Sequence, residues 1–316
     1  VISSGVTSIN GRPHAEYNAL NKKGNFNGSN MYVTLEPCAH FGVTPPCTNI
    51  IKKKKIKNVF YSFDDPDSKT NGKAKKVLLK ENIRLKRIKS SRSFFYNSYF
   101  LNKNKKLPLL DAKIAFSRDY YTINEKSKRI TNNRSREVSH LIRSRYDSIL
   151  STSKTINKDN ALLNCRINGF NNYKPDLLII DRRLNLKTNL KFLKIAKKRK
   201  TYIFTSSKNK KNINFFKNKK CKVIQVNQLE NKQDFIRFLN IIFSLGKRRI
   251  LVEAGLTFLS KLLKLKLINT LFVFKSNKKL KRNGYNNINL KYFKKCKFIN
   301  KIRVNLNEEE LYTLKG

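Results

Sequence analysis

Acidic residues are scarce in this chain. Twenty Asp and Glu stand against 70 Lys and Arg, leaving a formal net charge of +50. A surface for nucleic acid or anionic membrane is one reading of such an excess. The lysines, however, are scattered over every segment, as at Lys52 to Lys55, Lys208 to Lys211 and Lys278 to Lys281. That spread marks a compositional drift rather than a built interface, so no specific nucleic-acid partner is expected. The field still draws in phosphate-bearing substrates, and at low salt it binds nucleic acid nonspecifically. No run of about 18 apolar residues exists, which leaves no candidate membrane span. A secretory signal pattern is also missing, so the expected location is the cytoplasm. Cysteines are few and odd in number: Cys38, Cys47, Cys165, Cys221 and Cys296. Without regular spacing they make no disulfide framework, and they fit a reducing compartment. Gly-x-Gly-x-x-Gly does not occur, so no dinucleotide fingerprint is present.

With 316 residues, of which 39% are hydrophobic, the chain is long enough for two domains with cores of their own. Two stretches carry its chemistry. One is His14-Ala15-Glu16; the other runs from Thr34 through Glu36-Pro37-Cys38-Ala39-His40 to Pro45-Pro46-Cys47. An imidazole and two thiols hold zinc in three positions and leave the fourth open, as in catalytic rather than structural sites. Water in that position has its pKa lowered to about 7. Glu16, two residues from the histidine, is placed to move a proton without being a ligand. His-x-Glu followed by Pro-Cys is the signature of zinc nucleobase deaminases. Pro45-Pro46 signals a helix start, which puts Cys47 in a first turn whose free N–H groups favour a thiolate.

Taken in order, residues 1 to 9 read as the end of a strand and a turn, followed by a helix carrying His14 and Glu16. Strands are expected over Met31–Leu35, Lys57–Phe63 and Ile83–Ile88, with a helix over 73–82. Residues 91 to 107 read as a polar helix and linker. Beyond it, strands are expected at Leu109–Phe116, Tyr146–Thr152, Leu177–Ile180, Tyr202–Thr205, Val223–Val226, Arg249–Glu253, Leu271–Phe274 and Lys297–Val304. Helices fit Asn132–Arg145, Glu230–Phe243 and the stretch after Gly255 through Leu265. This alternation predicts mostly parallel sheets covered by helices. Ligands in such sheets gather at the C-terminal ends of strands, where Cys38 and Asp65 fall. Strand, Gly255 and helix start together make a phosphate cradle.

Eight residues separate Cys38 from Cys47, and that loop resembles the bifunctional riboflavin-biosynthesis deaminase/reductase family. The second half is similar to the same family's reductase. Its motifs are met by Lys113, Ala115, Ser117 and Asp119; by Ile130-Thr131, Arg136, His140, Arg143 and Asp147; by Thr155, Asp159, Leu163 and Arg166; and by Val252-Glu253-Ala254-Gly255. The order is right on both halves and covers nearly the whole chain.

The resemblance implies an α/β protein with two domains. Residues 1–105 would be a three-layer domain of cytidine-deaminase type, and residues 106–316 a dihydrofolate-reductase-like domain. The first would deaminate 2,5-diamino-6-(5-phosphoribosylamino)pyrimidin-4-one; the second would use NADPH to reduce the ribosyl side chain to ribityl. His14, Cys38 and Cys47 would bind zinc, with Glu16 catalytic. His40 and Asp65 would orient the pyrimidine nucleotide. Ala115, Thr155, Asp159 and the turn Gly255, Thr257, Phe258 and Leu259 would hold NADPH. Ser127, Arg143, Leu163, Arg166 and Glu253 would hold the substrate, the arginines through paired guanidinium donors suited to a phosphate monoester. Self-association into a homodimer or larger homo-oligomer would run through the reductase domain.

Departures from the family pattern set further expectations. The opening helix and strand with a Pro-Asn-Pro loop are not in this sequence, which reads as a fragment or as a chain short of part of its deaminase sheet. Val43 stands where a cation usually faces the substrate phosphate. Tyr120 stands for Gly, which is awkward if that turn needs positive φ. Arg129 replaces an aromatic, Asn160-Ala161 replaces Asp-Pro, Arg182 a small hydroxyl residue and Leu256 a Pro. Deaminase chemistry is therefore expected to be better preserved than reductase chemistry. The rival readings are a nucleic-acid deaminase and a non-catalytic basic relic. His140 is expected to pack on a helix face, and Cys165, Cys221 and Cys296 to be inert.

Overall fold

The computed structural model describes residues 1–88, 94–127, 129–288 and 300–315. It divides into two compact units, Val1–Lys105 and Lys106–Gly316.

The first unit contains α1 (Ala15–Leu20), β1 (Asn30–Leu35), α2 (Cys47–Lys53), β2 (Asn58–Phe63), α3 (Lys73–Leu79), β3 (Arg84–Arg87) and α4 (Phe94–Lys105). Its strands pair in parallel in the order β1-β2-β3. Alternation in β1 sends Met31 inward, while Tyr32 stays outside and stacks on Phe60 with ring centroids 4.9 Å apart. The core joins Leu20, Phe26, Ile51, Val59, Leu78 and Ile83 to Met31. Burying these branched side chains is the main term holding so small a sheet together.

The strand expected within residues 1–9 does not form; the segment is irregular and ends in a single 3₁₀ turn at Ile9–Gly11. Its polar groups go to α1 instead of to a sheet. Ser3 Oγ donates to the Ala19 carbonyl at 2.8 Å, and Asn18 Nδ2 donates to the Val6 carbonyl at 2.7 Å. Gly5 permits this close approach, because a Cβ there would lie 2.4 Å from the Ala15 carbonyl oxygen. Positions 91–93 of the expected linker lie outside the described residues, as do 297–299 of the last expected strand and Cys296.

The second unit runs β4 (Leu109–Phe116), β5 (Ile123–Asn124), α5 (Asn133–Ser144), β6 (Ser148–Thr152), α6 (Ser153–Asp159), β7 (Asp176–Ile180), α7 (Lys191–Ile195) and β8 (Thr201–Thr205). It continues with α8 (Lys210–Asn218), β9 (Lys222–Gln225), α9 (Lys232–Ser244), β10 (Arg249–Val252), α10 (Leu256–Lys264), β11 (Thr270–Lys275), β12 (Gly284–Tyr285), β13 (Asn300–Ile302) and β14 (Glu310–Lys315). Nine strands form one sheet in the order β13-β14-β11-β4-β10-β6-β7-β8-β9. The pairs from β11 through β9 are parallel, and β14 is antiparallel to β11 and β13. The near-continuous apolar runs of β7, β8 and β10 are what a parallel strand covered on both faces requires. Asn132, Thr152 and Asn209 cap their helices by accepting from a backbone N–H, and Asn231 with Asp234 completes a capping box on α9. The strand β14, which the sequence pattern did not single out, follows Glu309. That buried carboxylate accepts from the Asn132 amide at 2.9 Å and from the Ser135 and Ser276 hydroxyls.

Asp111 in β4 is fully buried, with Tyr146 donating to it at 2.7 Å. Burial pushes its carboxyl up to about 6. A raised acid stabilises the fold below its unfolded pKa, and that contribution is lost as pH rises through about 6. Asp111→Asn keeps an acceptor for Tyr146 and removes the buried charge. Thermal unfolding at pH 7.5 is expected to show it about 1–2 kcal/mol more stable than wild type, with the gain gone near pH 4. A destabilised variant at the higher pH would contradict this.

Candidate active sites

The residues expected to bind zinc come from three elements. His14 is the N-cap of α1, Glu16 lies in that helix's first turn, Cys38 follows β1, and Cys47 opens α2. His14 Nδ1 is 3.3 Å from Cys47 Sγ and 3.5 Å from Cys38 Sγ. The three donor atoms all lie within 4.8 Å of one another. Zinc bonds of about 2.0 Å to nitrogen and about 2.3 Å to sulfur, at a tetrahedral angle, place N and S roughly 3.5 Å apart. The donor set therefore fits one zinc ion. Arg12 lies against the ring of His14, with Nη1 2.8 Å from Nδ1.

Electrostatics prepare the same atoms. A hydrogen bond from Cys47 pulls the Cys38 thiol down to about 4 against its burial. The same bond, followed by burial, raises Cys47. The Cys47 amide also donates to Cys38 Sγ at 3.2 Å. Glu16 is buried beside them, and burial holds its carboxyl above the ordinary range. Glu36, part of the motif but given no role from sequence, accepts from the amides of Gly72 at 2.9 Å and Ala74 at 3.2 Å. It thus ties the loop carrying Cys38 to the start of α3. His40 Nδ1 is 3.4 Å from Thr70 Oγ1. Asp65 accepts from the Asp67 amide at 2.9 Å and the Tyr99 hydroxyl at 3.3 Å, so its carboxylate shapes a turn. Val43 is 90% exposed and offers no charge.

In the second unit a cavity of about 900 Å³ opens at the C-terminal ends of β4, β6, β7 and β10. Ala115, Thr155, Asp159, Gly255, Thr257 and Phe258 line it, as do Ser127, Arg143, Leu163, Arg166 and Glu253. Leu259 does not. It is 1% exposed and packs in the hydrophobic core, because the first turn of α10 points that position away from the cavity. Thr155 Oγ1 accepts from the Gly255 amide at 3.1 Å, joining the first turn of α6 to the loop after β10. The first intrahelical bonds of α10 come from Phe258 and Leu259, so the amides of Leu256 and Thr257 precede them at the cavity wall.

The cavity floor is a charge network. Arg143 grips Glu253 with two bonds, 2.5 and 2.9 Å, and Lys113 adds a third contact at 3.0 Å. Burial alone raises the Glu253 carboxyl; Arg143 and Lys113 outweigh it and hold the group well below the usual carboxylate range. His140, expected to pack on a helix face, is buried on α5 and also borders the cavity. Its Nδ1 lies 3.0 Å from the Asn164 carbonyl and 3.2 Å from the Arg166 amide. Burial, then the charges of Arg143 and Arg166, push it down to about 4, so the ring is neutral at pH 7. Lys113 and His140 were not among the expected site residues. Lys113 as the lone cation of an apolar strand, and His140 three residues before Arg143 on one helix face, were the available signals.

Among the departures, Tyr120 does adopt positive φ, at +65°, where glycine carries no Cβ penalty. Asn160, at +45°, ends α6 and accepts from the Lys191 amide at 2.8 Å, a role asparagine tolerates. Arg129 and Arg182 line the cavity, and Leu256 is buried in the core.

The family described as RibD C-terminal domain matches residues 110–278, and that described as cytidine and deoxycytidylate deaminase zinc-binding region matches residues 2–63. The riboflavin biosynthesis protein RibD of Buchnera aphidicola subsp. Baizongia pistaciae is 32% identical over 292 residues, covering 87% of this chain and 77% of its own.

This chain belongs to the RibD family.

A second relative, the diaminohydroxyphosphoribosylamino-pyrimidine deaminase of Buchnera aphidicola subsp. Schizaphis graminum, is 43% identical over 105 residues, 33% of this chain and 71% of its own. The RibD of Bacillus amyloliquefaciens is 32% identical, but only 57% of its length is matched. In fold, the chain is similar to the Thermotoga maritima deaminase/reductase, with a TM-score of 0.78 at 23% identity, covering 100% of this chain and 88% of that one. Like its family, the protein is a bifunctional enzyme of riboflavin biosynthesis, joining a zinc-dependent deaminase to an NADPH-dependent reductase. The nucleic-acid deaminase and relic readings are not favoured.

Proposed function

We propose that His14, Cys38 and Cys47 hold the zinc, that Glu16 moves the proton, and that the cavity of the second unit takes NADPH beside a phosphorylated pyrimidine. The convergence of one imidazole nitrogen and two sulfurs beside a buried carboxylate carries this reading. Bound zinc supplies a water acidic enough to attack at neutral pH. Glu16 accepts a proton from the attacking water and returns it to the departing amine. The C–N bond breaks, ammonia leaves and a ring carbonyl forms. His40, at the edge of this site, orients the ring of 2,5-diamino-6-(5-phosphoribosylamino)pyrimidin-4-one, and Asp65 shapes the turn beside it.

In the second unit, Arg166 meets the substrate phosphate, with the charge of Arg143 behind it, its fork held by Glu253, while Ser127, Leu163 and Glu253 fix the rest. Ala115, Thr155, Asp159 and the Gly255 to Phe258 turn hold NADPH, which supplies the hydride that turns ribosyl into ribityl. We further propose a cytoplasmic enzyme that self-associates through the reductase unit. Among the described residues no helix is long and apolar enough to cross a membrane.

Ammonia release from the diamino substrate, followed by loss of NADPH absorbance, tests the whole sequence. Equal amounts of ammonia and oxidised NADPH are expected, with reduction the slower half because Arg129 and Arg182 alter its cavity. Ammonia release from tRNA or single-stranded DNA, with none from the pyrimidine, would overturn the proposal.

A further inference from the structure

Arg199 heads the fully buried side chains by size among the described residues, at 1% exposure. It sits in the turn between α7 and β8, outside the cavity wall. Its guanidinium donates to three main-chain carbonyls: Pro175 at 2.6 Å, Leu163 at 2.8 Å, and Leu162. Burial pushes its pKa down only to about 10, so it remains a cation at neutral pH. A buried charge is costly unless its donors are met, and here all three contacts fall on the single connection between α6 and β7, near its two ends.

The leading end of that connection lines the cavity through Leu163 and Arg166. Leu163 adopts φ +49°, a left-handed conformation that a branched side chain seldom takes. Such strain persists only where the surroundings over-determine it. Arg199 grips the carbonyls on both sides of the strained residue's amide. Just beyond, the Asn164 carbonyl receives Arg143 Nη1 at 3.2 Å, and Asn164 Oδ1 receives Arg166 Nη1 at 2.7 Å. The clamp and the two cavity arginines therefore hold one short stretch of backbone between them.

We propose that Arg199 is a positioning residue for the phosphorylated pyrimidine. It sets Leu163 and Arg166 without touching the ligand, an inference that rests on the substrate reading given above. None of these three hydrogen bonds falls on a residue assigned to NADPH, whether Ala115 on β4, Thr155 and Asp159 on α6, or the Gly255 to Phe258 turn. Lysine cannot replace it, because one ammonium cannot span three carbonyls in the plane of a fork.

The test compares wild type, Arg199→Lys and Arg199→Ala in the full chain. Three quantities are read: KM for 5-amino-6-(5-phosphoribosylamino)uracil, Kd for NADPH by fluorescence titration, and ammonia release by the deaminase. Both variants are expected to raise the pyrimidine KM about tenfold or more, with NADPH affinity and deamination within about twofold of wild type. Added guanidinium ion is expected to lower the KM of Arg199→Ala and leave that of Arg199→Lys unmoved. An unchanged pyrimidine KM in both variants overturns the proposal. So does a parallel collapse of NADPH binding, which would make Arg199 a support of the whole unit. If wild type itself fails to reduce the pyrimidine, the substrate reading falls instead.

Discussion

Glu16→Gln is expected to lower the deaminase kcat by roughly 10³-fold while the protein keeps one zinc per chain. The carboxylate is buried next to the three donor atoms but is not one of them. Glutamine has the same shape and cannot carry the proton from water to amine. His14→Ala and Cys47→Ala should behave differently, losing the metal along with the activity, because each removes one of three donors. Metal content by atomic absorption, measured alongside ammonia release, separates the two classes. Retention of full activity by Glu16→Gln would sink its assigned role, and zinc retained by both ligand variants would sink the site.

Glu253→Gln is expected to have the largest effect in the second unit. It leaves Arg143 and Lys113 facing each other across a buried space without their shared counter-charge. Breaking a buried ion pair from one side typically costs about 3–5 kcal/mol. The reductase transition in thermal unfolding should fall accordingly, and pyrimidine reduction with it. Ammonia release should survive, since the zinc residues belong to the separate unit Val1–Lys105. A second change, Lys113→Met, removes one stranded cation and should recover about 1 kcal/mol or more of the lost stability. No recovery would mean that the lysine contributes little to the network.

The zinc constellation was legible because its ligands are local: each motif is a few residues long, and the chemistry demands those residue types. The strands β4 and β10 were legible for a similar reason, as apolar runs of strand length with turn signals at their ends. Legibility failed where a residue's meaning is set by distant partners. His140 reads as a helix-face histidine until the Asn164 carbonyl and Arg166 close over it from more than twenty positions away. Arg199 looks like one more cation in a basic run, yet its partners lie 24 to 37 positions earlier. Leu259 was drawn into the expected cofactor turn by its neighbours, and helix phase turned it into the core. The segment 1–9 has strand-like composition, but its hydrogen bonds are taken by a helix surface. Glu309 and β14 were missed because an acidic cluster near the end of the chain gives no hint of what it will be buried against.

That helix-bound leading segment has a practical consequence. Ser3, Asn18 and the close-fitting Gly5 lash it to α1, whose first turn presents His14 and Glu16 to the metal. Any change that loosens this segment therefore pulls directly on the ligand-bearing helix. Zinc retention thus becomes a readout for substitutions at Ser3 or Gly5, although neither residue is a metal donor.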